Sequence, residues 1–189
     1  MDRKEALEQL HEWVQSPGLR RHSYAVEQVM RRAAAHYGAP SEDALKWALA
    51  GLMHDADYER WPESHPQRVV AWLRERGEPE VAYAVAAHGT TWGVPYLAPM
   101  DRALVACDEL TGFVTACALL RPDGVLTLEA PRVLKKLKDA KFAAGVDRVE
   151  VYEGAKILGV ELHAHVAFII GALRERAGEL GLAGTALDS

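Results

Sequence analysis

Apolar residues in this chain recur at intervals of three and four, and proline and glycine separate the resulting segments. This spacing puts apolar side chains on one face of an α-helix, whereas the alternation typical of a half-buried strand is nearly absent. Proline suits the first position of a helix, and glycine often ends one. The pattern predicts helices that open at Pro66, Pro79 and Pro99, with Gly38 and Gly77 at helix ends. We therefore predict an all-α bundle.

The only candidates for strands are two short segments, residues 91–97 and 125–129. Ser41 is a candidate N-cap for the third helix, because its hydroxyl oxygen can accept from a backbone N–H of the first turn. The C-terminal part is predicted to contain helices at 134–142, 147–158 and 161–180. No repeat or low-complexity linker interrupts this series. We therefore expect a single domain.

The predicted domain spans residues 1–189, with a core at about 18–125 and a helical extension at about 128–182. The chain is 49% hydrophobic, which supports a globular core. It has no run of 18 apolar residues, so we expect no transmembrane helix, and its charged start lacks the apolar region of a signal peptide. The net charge of -5 makes duplex nucleic acid an unexpected partner.

The two cysteines, Cys107 and Cys117, are predicted to lie in one helix. Ten helical residues span about 15 Å, which is too far for a disulfide bond. Free thiols suit a reducing compartment, so a cytoplasmic location is expected.

Histidine and aspartate residues occur on five successive predicted helical elements, at or near apolar stretches. These residues are His22, His54, Asp55, His65, His88 and Asp108. Imidazole and carboxylate groups are good ligands for Zn, Mn, Fe or Co. Helical bundles build metal sites in this way, from ligands that converge from facing helices. The pattern therefore favours a metal centre inside the bundle.

The remaining histidines give no such pattern, because an isolated histidine on a helix is usually a surface or hydrogen-bonded residue. This interpretation applies to His11, His36, His163 and His165. Asp108 differs because it lies between the apolar stretches LVAC and LTGF. A carboxylate buried there needs a partner, since unpaired burial is costly.

The order H…HD…D, with His22, His54-Asp55 and Asp108, resembles the HD superfamily of metal-dependent phosphohydrolases. The stretches HDADYERWPESHP, AAHGTTWGVP, ACDELTGFVTACALLRP and KLKDAKFAAGV are similar to a subgroup of stand-alone bacterial and archaeal proteins known only as predicted HD hydrolases. The resemblance covers most of the chain. It implies the all-helical HD bundle and assigns those four residues as metal ligands.

The resemblance also implies a second metal, because HD proteins with two metals add two histidines between the HD pair and the last aspartate. His65 and His88 occupy that interval, and Asp55 would then bridge the ions. The chain departs from other branches by having HDADYE in place of HDIGK. It also has Tyr58 where some nucleotidases have a glutamate, which leaves the substrate open.

The implied activity is hydrolysis of a phosphomonoester or phosphodiester by a metal-activated water, with nucleotides among the candidate substrates. Asp55, Asp57 and Glu59 are the candidate catalytic carboxylates, the last two as proton carriers. The candidate phosphate-binding cations are Arg21, Lys141 and Arg148. Lys141 and Arg148 flank FAAGVD, where a turn containing glycine can direct them to a site.

The expected cofactor is a divalent transition metal, as one or two ions of Mn, Fe, Co, Ni or Zn. The expected partner is a small-molecule phosphoester, with no membrane association, and the oligomeric state is open.

Two alternative functions remain. One is an HD-type di-iron oxygenase, which would use the same ligands, and the other is a nucleotide-sensing HD domain without catalysis.

Overall fold

A computed structural model describes residues 1–38 and 43–184 of the chain. Within these ranges the regular secondary structure is helical and contains no strand. The α-helices are α1 (Arg3–Trp13), α2 (Pro17–Tyr37), α3 (Ala44–Met53), α4 (Gln67–Glu75), α5 (Pro79–His88), α6 (Pro99–Leu119), α7 (Ala130–Leu137), α8 (Arg148–Leu158) and α9 (Leu162–Arg174). The all-α prediction is confirmed.

Proline and glycine lie at helix ends as the sequence predicts. Pro79 and Pro99 begin α5 and α6, and Gly38 follows the last residue of α2. Pro66 lies one residue before α4, so it precedes that helix rather than opening it. The predicted N-cap Ser41 lies outside the described residues.

Three local predictions differ from the structure. Segment 91–97 contains the end of a short 3-10 helix followed by irregular backbone, and 125–129 contains turns. The predicted basic helix at 134–142 ends at Leu137, and turns follow, in which Ala143 has a φ of 44°. The last helix ends at Arg174, after which the chain continues in turns.

The chain divides into two compact units, Met1–Val105 and Ala106–Ser189, with the boundary inside α6. In the first unit, α3 packs against α1, α2 and α5, and α4 packs against α5. In the second unit, α7 and α8 both pack against α9. The single domain over residues 1–189, with its core and extension, stays a prediction.

Helices α2 and α3 approach each other closely at Gly51. A Cβ atom at this position would lie 2.6 Å from the carbonyl oxygen of Val26 and 2.9 Å from the backbone nitrogen of Glu27. Both atoms belong to the backbone of α2, which cannot move aside as a flexible side chain can. Glycine at position 51 therefore lets α3 contact α2 at backbone distance, which brings His54 towards His22.

No single helix among the described residues is long and apolar enough to cross a membrane. Helices α8 and α9 reach that length and composition only as a pair, and the pair is bent by 98°. Of α9, the side chains of Val166, Ile169 and Leu173 are fully buried.

Candidate metal centre

Asp55 lies among four histidine side chains in the first unit. Its Oδ2 atom is 3.4 Å from Nε2 of His54 and 3.9 Å from Nε2 of His22. Its Oδ1 atom is 3.4 Å from Nε2 of His65 and 3.5 Å from Nε2 of His88. Each carboxylate oxygen therefore faces a different pair of imidazole nitrogens.

These five side chains come from four places in the first unit. His22 lies in the first half of α2, and His54 and Asp55 directly follow α3. His65 lies just before α4, and His88 is the last residue of α5. The close approach of α2 and α3 leaves the Nε2 atoms of His22 and His54 3.2 Å apart.

Two of the imidazole rings are oriented by the helix that carries or precedes them. Nδ1 of His54 is 2.8 Å from the carbonyl oxygen of Gly51, and Nδ1 of His88 is 2.6 Å from that of Val85. A carbonyl oxygen only accepts, so each Nδ1 carries a proton and donates to it, and each Nε2 is directed at Asp55. Both carbonyls belong to the last turn of a helix, where the helix itself supplies no N–H partner.

Asp55 is held in its ionised form. Burial raises the pKa of its carboxyl group, but the charges and hydrogen bonds of His54 and then His88 lower it by more, so the pKa lies well below its ordinary value. The side chain of Asp55 is 21% exposed, whereas that of His54 is 0% exposed. The partly exposed carboxylate of Asp55 therefore lies against the buried rings of His54 and His88.

The separations among these donor atoms suit a transition-metal ion. Two ligands that are each about 2.1 Å from a tetrahedral ion lie about 3.4 Å from each other. The shorter distances between Asp55 and the imidazoles are 3.4 and 3.5 Å. Donor atoms of Asp55, His65 and His88 all lie within 4.8 Å of one another. The residues present thus fit a cation on the Oδ1 side of Asp55, and His22 and His54 form the matching pair on the Oδ2 side.

The sixth predicted ligand, Asp108, lies on α6 in the second unit and is half-buried. Its role as a ligand stays a prediction. Arg21, a predicted phosphate-binding residue, is exposed on α2 beside His22. The structure therefore brings five of the six predicted ligands together in the first unit.

Asp57 is fully buried and accepts three hydrogen bonds. Oδ1 accepts from Nδ1 of His65 at 2.6 Å. Oδ2 accepts from the backbone nitrogens of Arg68 and Val69 at 2.9 and 3.0 Å. A proton carrier must reach the substrate, so this burial favours an orienting role for Asp57 over the proton transfer expected from its place in the sequence.

Glu59 lies at the surface and binds the chain that leads into α2. Its Oε2 atom accepts from the backbone nitrogens of Gln15 and Ser16 at 2.9 and 3.0 Å. Ser16 is the N-cap of α2, and its side chain accepts from Leu19. Glu59 therefore helps to hold the start of the helix that carries His22.

The sequence predicts that Arg148 binds phosphate, but its guanidinium group donates hydrogen bonds to backbone carbonyls of the second unit. Its guanidinium group donates to Ala143 at 2.5 Å, to Val146 at 2.7 Å and also to Phe142. These contacts stabilise the turn before α8, so the placement does not favour substrate binding, which stays a prediction. Lys141 lies in the same turn region with an exposed side chain, and its predicted contact with phosphate is untested.

Gly51 is a residue of the site that the sequence interpretation missed. It permits the close approach of α2 and α3, and its carbonyl oxygen orients His54. A signal was present, because glycine in the interior of an apolar helix costs about 1 kcal/mol relative to alanine. A glycine three residues before the HD pair thus indicates close packing.

Comparison with protein families gives a match to the HD domain over residues 19–122, which is more than half of the 189 residues. Curated proteins that match include the uroporphyrinogen decarboxylases of two strains of Thermus thermophilus. Each is 30% identical over 117 residues, covering 56% of this chain and 34% of the relative. The chain thus spans about a third of the length of these curated relatives.

No solved structure matches the chain. HD domains bind divalent metal ions, and the imidazole and carboxylate groups around Asp55 are donors of that kind. The HD match covers more than half of the sequence and includes all of these residues. The chain therefore belongs to the HD-domain family.

Proposed function

We propose that the protein is a metal-dependent hydrolase of small phosphoesters. One observation carries this proposal: the two oxygens of Asp55 face two separate pairs of imidazole nitrogens. A bound divalent cation supplies a Lewis acid for phosphoryl oxygens and makes hydroxide available near neutral pH. Membership of a family that commonly consists of hydrolases supports the proposal further.

The chain supplies the ligands and holds them in place. Asp55 serves as the shared ligand rather than as a proton carrier, because both of its oxygens face imidazoles. Arg21, exposed beside His22, is the proposed phosphate contact of the first unit. Glu59 keeps Oε1 outside its two hydrogen bonds to the backbone, so we retain it as the candidate proton carrier. From the second unit, Asp108 is proposed as a ligand.

The proposed substrate is a small phosphomonoester or phosphodiester, with nucleotides among the candidates. The proposed ions are Mn, Fe, Co, Ni or Zn, because ligands of this type accept several first-row metals. Duplex nucleic acid is not proposed as a partner of a chain with a net charge of -5. The name uroporphyrinogen decarboxylase describes relatives whose larger part lies outside the match, so we do not transfer that activity to this chain.

A panel of phosphomonoesters and phosphodiesters, assayed with Mn²⁺, Co²⁺, Ni²⁺, Mg²⁺ and Fe²⁺, tests the proposal together with elemental analysis of the purified protein. We expect metal-dependent turnover of at least one ester. Asp55→Ala should lower kcat/KM by roughly 1,000-fold, or about 4 kcal/mol of transition-state stabilisation. Glu8→Ala, which removes an exposed carboxylate on α1, is the control and should leave turnover unchanged. Metal-loaded protein that hydrolyses none of the panel contradicts the proposal.

A di-iron oxygenase is the second candidate, because a carboxylate shared between two pairs of histidines equally suits two iron ions. A redox-active absorption band in protein purified without oxygen, without phosphoester turnover, would favour it. The third candidate, a nucleotide-sensing domain, predicts nucleotide binding without turnover on the same panel.

A further inference from the structure

The side chain of His65 is oriented differently from those of His54 and His88. The last two donate from Nδ1 to a carbonyl oxygen in the last turn of a helix. His65 lies instead in extended backbone before α4, with φ -62° and ψ 134°, so it has no such carbonyl. The acceptor for its Nδ1 is the buried carboxylate of Asp57.

We propose that Asp57 is a positioning residue that keeps a proton on Nδ1 of His65 and thereby directs Nε2 at Asp55. Both oxygens of Asp57 are occupied by donors, since Oδ2 accepts from the backbone N–H groups of Arg68 and Val69. An ionised carboxylate only accepts, so Nδ1 of His65 must donate across the 2.6 Å contact. Nε2 then faces Oδ1 of Asp55 at 3.4 Å.

The same carboxylate also stabilises the start of α4. Arg68 and Val69 lie in the first turn of that helix, where backbone N–H groups have no partner within the helix. A negative charge at a helix N-terminus is favourable as well. Asp57 thus joins the start of α4 to the ring of His65. A carboxylate behind a ligating histidine also raises its basicity, and losing such a partner typically weakens metal affinity roughly 10–100-fold.

The substitution Asp57→Asn separates the two roles. The asparagine oxygen can still accept from Arg68 and Val69, which keeps the start of α4. Its amide nitrogen then faces His65 and donates, so Nδ1 of His65 must accept and the proton moves to Nε2. The variant therefore keeps the fold but confines the proton to the nitrogen that faces Asp55, where it opposes metal binding. A residue that only stabilised the helix start would leave the histidine tautomer unchanged.

Long-range ¹H–¹⁵N spectra of the full-length, metal-free chain with labelled histidine measure this directly, and His65→Ala assigns the signals. We expect a proton on Nδ1 of His65 in the wild type and no proton on Nδ1 in Asp57→Asn. Glu63→Gln, which changes an exposed carboxylate two residues before His65, is the control and should keep the wild-type form. A wild-type spectrum without a proton on Nδ1 of His65 overturns the proposal, even if the variant does not fold.

Equilibrium dialysis with Mn²⁺ gives a second readout. Asp57→Asn should lose metal to the same extent as His65→Ala, with no further loss in the double variant, and an additive loss contradicts the proposal. This inference rests on the metal centre of the proposed function but not on its chemistry. Failure of the esterase panel with the expected tautomers would reject the proposed reaction alone, whereas the wrong tautomer would reject only the role of Asp57.

Discussion

At the residue scale, His54, His65 and His88 are each held by an oxygen atom on their Nδ1 side. The acceptors are the carbonyls of Gly51 and Val85 and the carboxylate of Asp57. Each hydrogen bond keeps a proton on Nδ1 and directs Nε2 at Asp55, so the proposed ligands are arranged before any ion binds. This preorganisation lowers the cost of ordering side chains on metal binding.

Removing His88 tests whether the centre holds two ions. We expect the wild type to bind close to two ions per chain and His88→Ala to bind close to one, because only the Oδ1 side of Asp55 loses a ligand. Asp55→Ala should lower occupancy on both sides. Elemental analysis after dialysis measures the stoichiometry, and the exposed His163 supplies the control His163→Ala. A wild type that never exceeds one ion contradicts the dinuclear centre and leaves a mononuclear one.

The role of Asp57 was not predictable from the sequence, although its position was. Its place two residues after Asp55 suggests a proton carrier, because carboxylates near a metal often have that function. The outcome depends on His65, Arg68 and Val69, which lie eight to twelve residues later and surround the carboxylate only after folding. That four histidines lie around Asp55 was easier to predict, since the pattern of residue types and the HD resemblance both point to them.

At the scale of secondary-structure elements, the contact between α2 and α3 determines the distance between His22 and His54. Gly51 permits this contact, because the backbone of α2 at Val26 and Glu27 occupies the space of a Cβ atom. The two Nε2 atoms are 3.2 Å apart as a result. A wider spacing between the helices would separate the ligands on the Oδ2 side of Asp55.

Gly51→Ala should therefore lower both stability and metal affinity. Forcing a methyl group into this contact costs about 1–3 kcal/mol in the free energy of unfolding. Gly171→Ala is the matched control, because Gly171 lies in the exposed part of α9 and a Cβ there meets no atom within 4 Å. That change should stabilise the protein by about 0.5–1 kcal/mol. Urea denaturation measures the free energy of unfolding of both variants. Equal effects of the two substitutions would contradict the close contact.

Helix ends marked by proline or glycine were predictable because they depend on the local chain. Pro79 and Pro99 begin helices and Gly38 follows one, as expected. The end of α7 at Leu137 was not predictable from the local chain. The turn that follows depends on Arg148, whose guanidinium group donates to several carbonyls of that turn. Helical spacing in the sequence does not reveal such a contact.

At the scale of the whole molecule, the histidines around Asp55 and the two cysteines report on different units. Asp55 and these four histidines belong to Met1–Val105, and both Cys107 and Cys117 belong to Ala106–Ser189. Both thiols are buried and free. Burial raises the pKa of Cys117 to about 11, so roughly one thousandth of it is thiolate at pH 8.

Native protein should therefore react slowly with Ellman's reagent at pH 8, and two thiols per chain should react after unfolding in guanidinium chloride. A ligand that binds only the folded state stabilises it. If residues 1–189 form one cooperative domain, saturating Mn²⁺ should raise the temperature at which the thiols become exposed. It should raise the temperature at which helical circular dichroism is lost by the same number of degrees. If Mn²⁺ raises the transition temperature of the helical signal but leaves that of thiol exposure unchanged, the single domain is contradicted.

The carbonyl oxygens that orient His54 and His88 also limit how homologous sequences can vary in length. Each histidine lies three residues after its acceptor, within one turn of helix. One inserted residue in that turn rotates everything after it by about 100° about the helix axis. Either the ring loses its acceptor or Nε2 turns away from Asp55. Insertions and deletions among homologues should therefore be rare between Gly51 and Asp55 and between Val85 and His88, and should accumulate in the connecting loops.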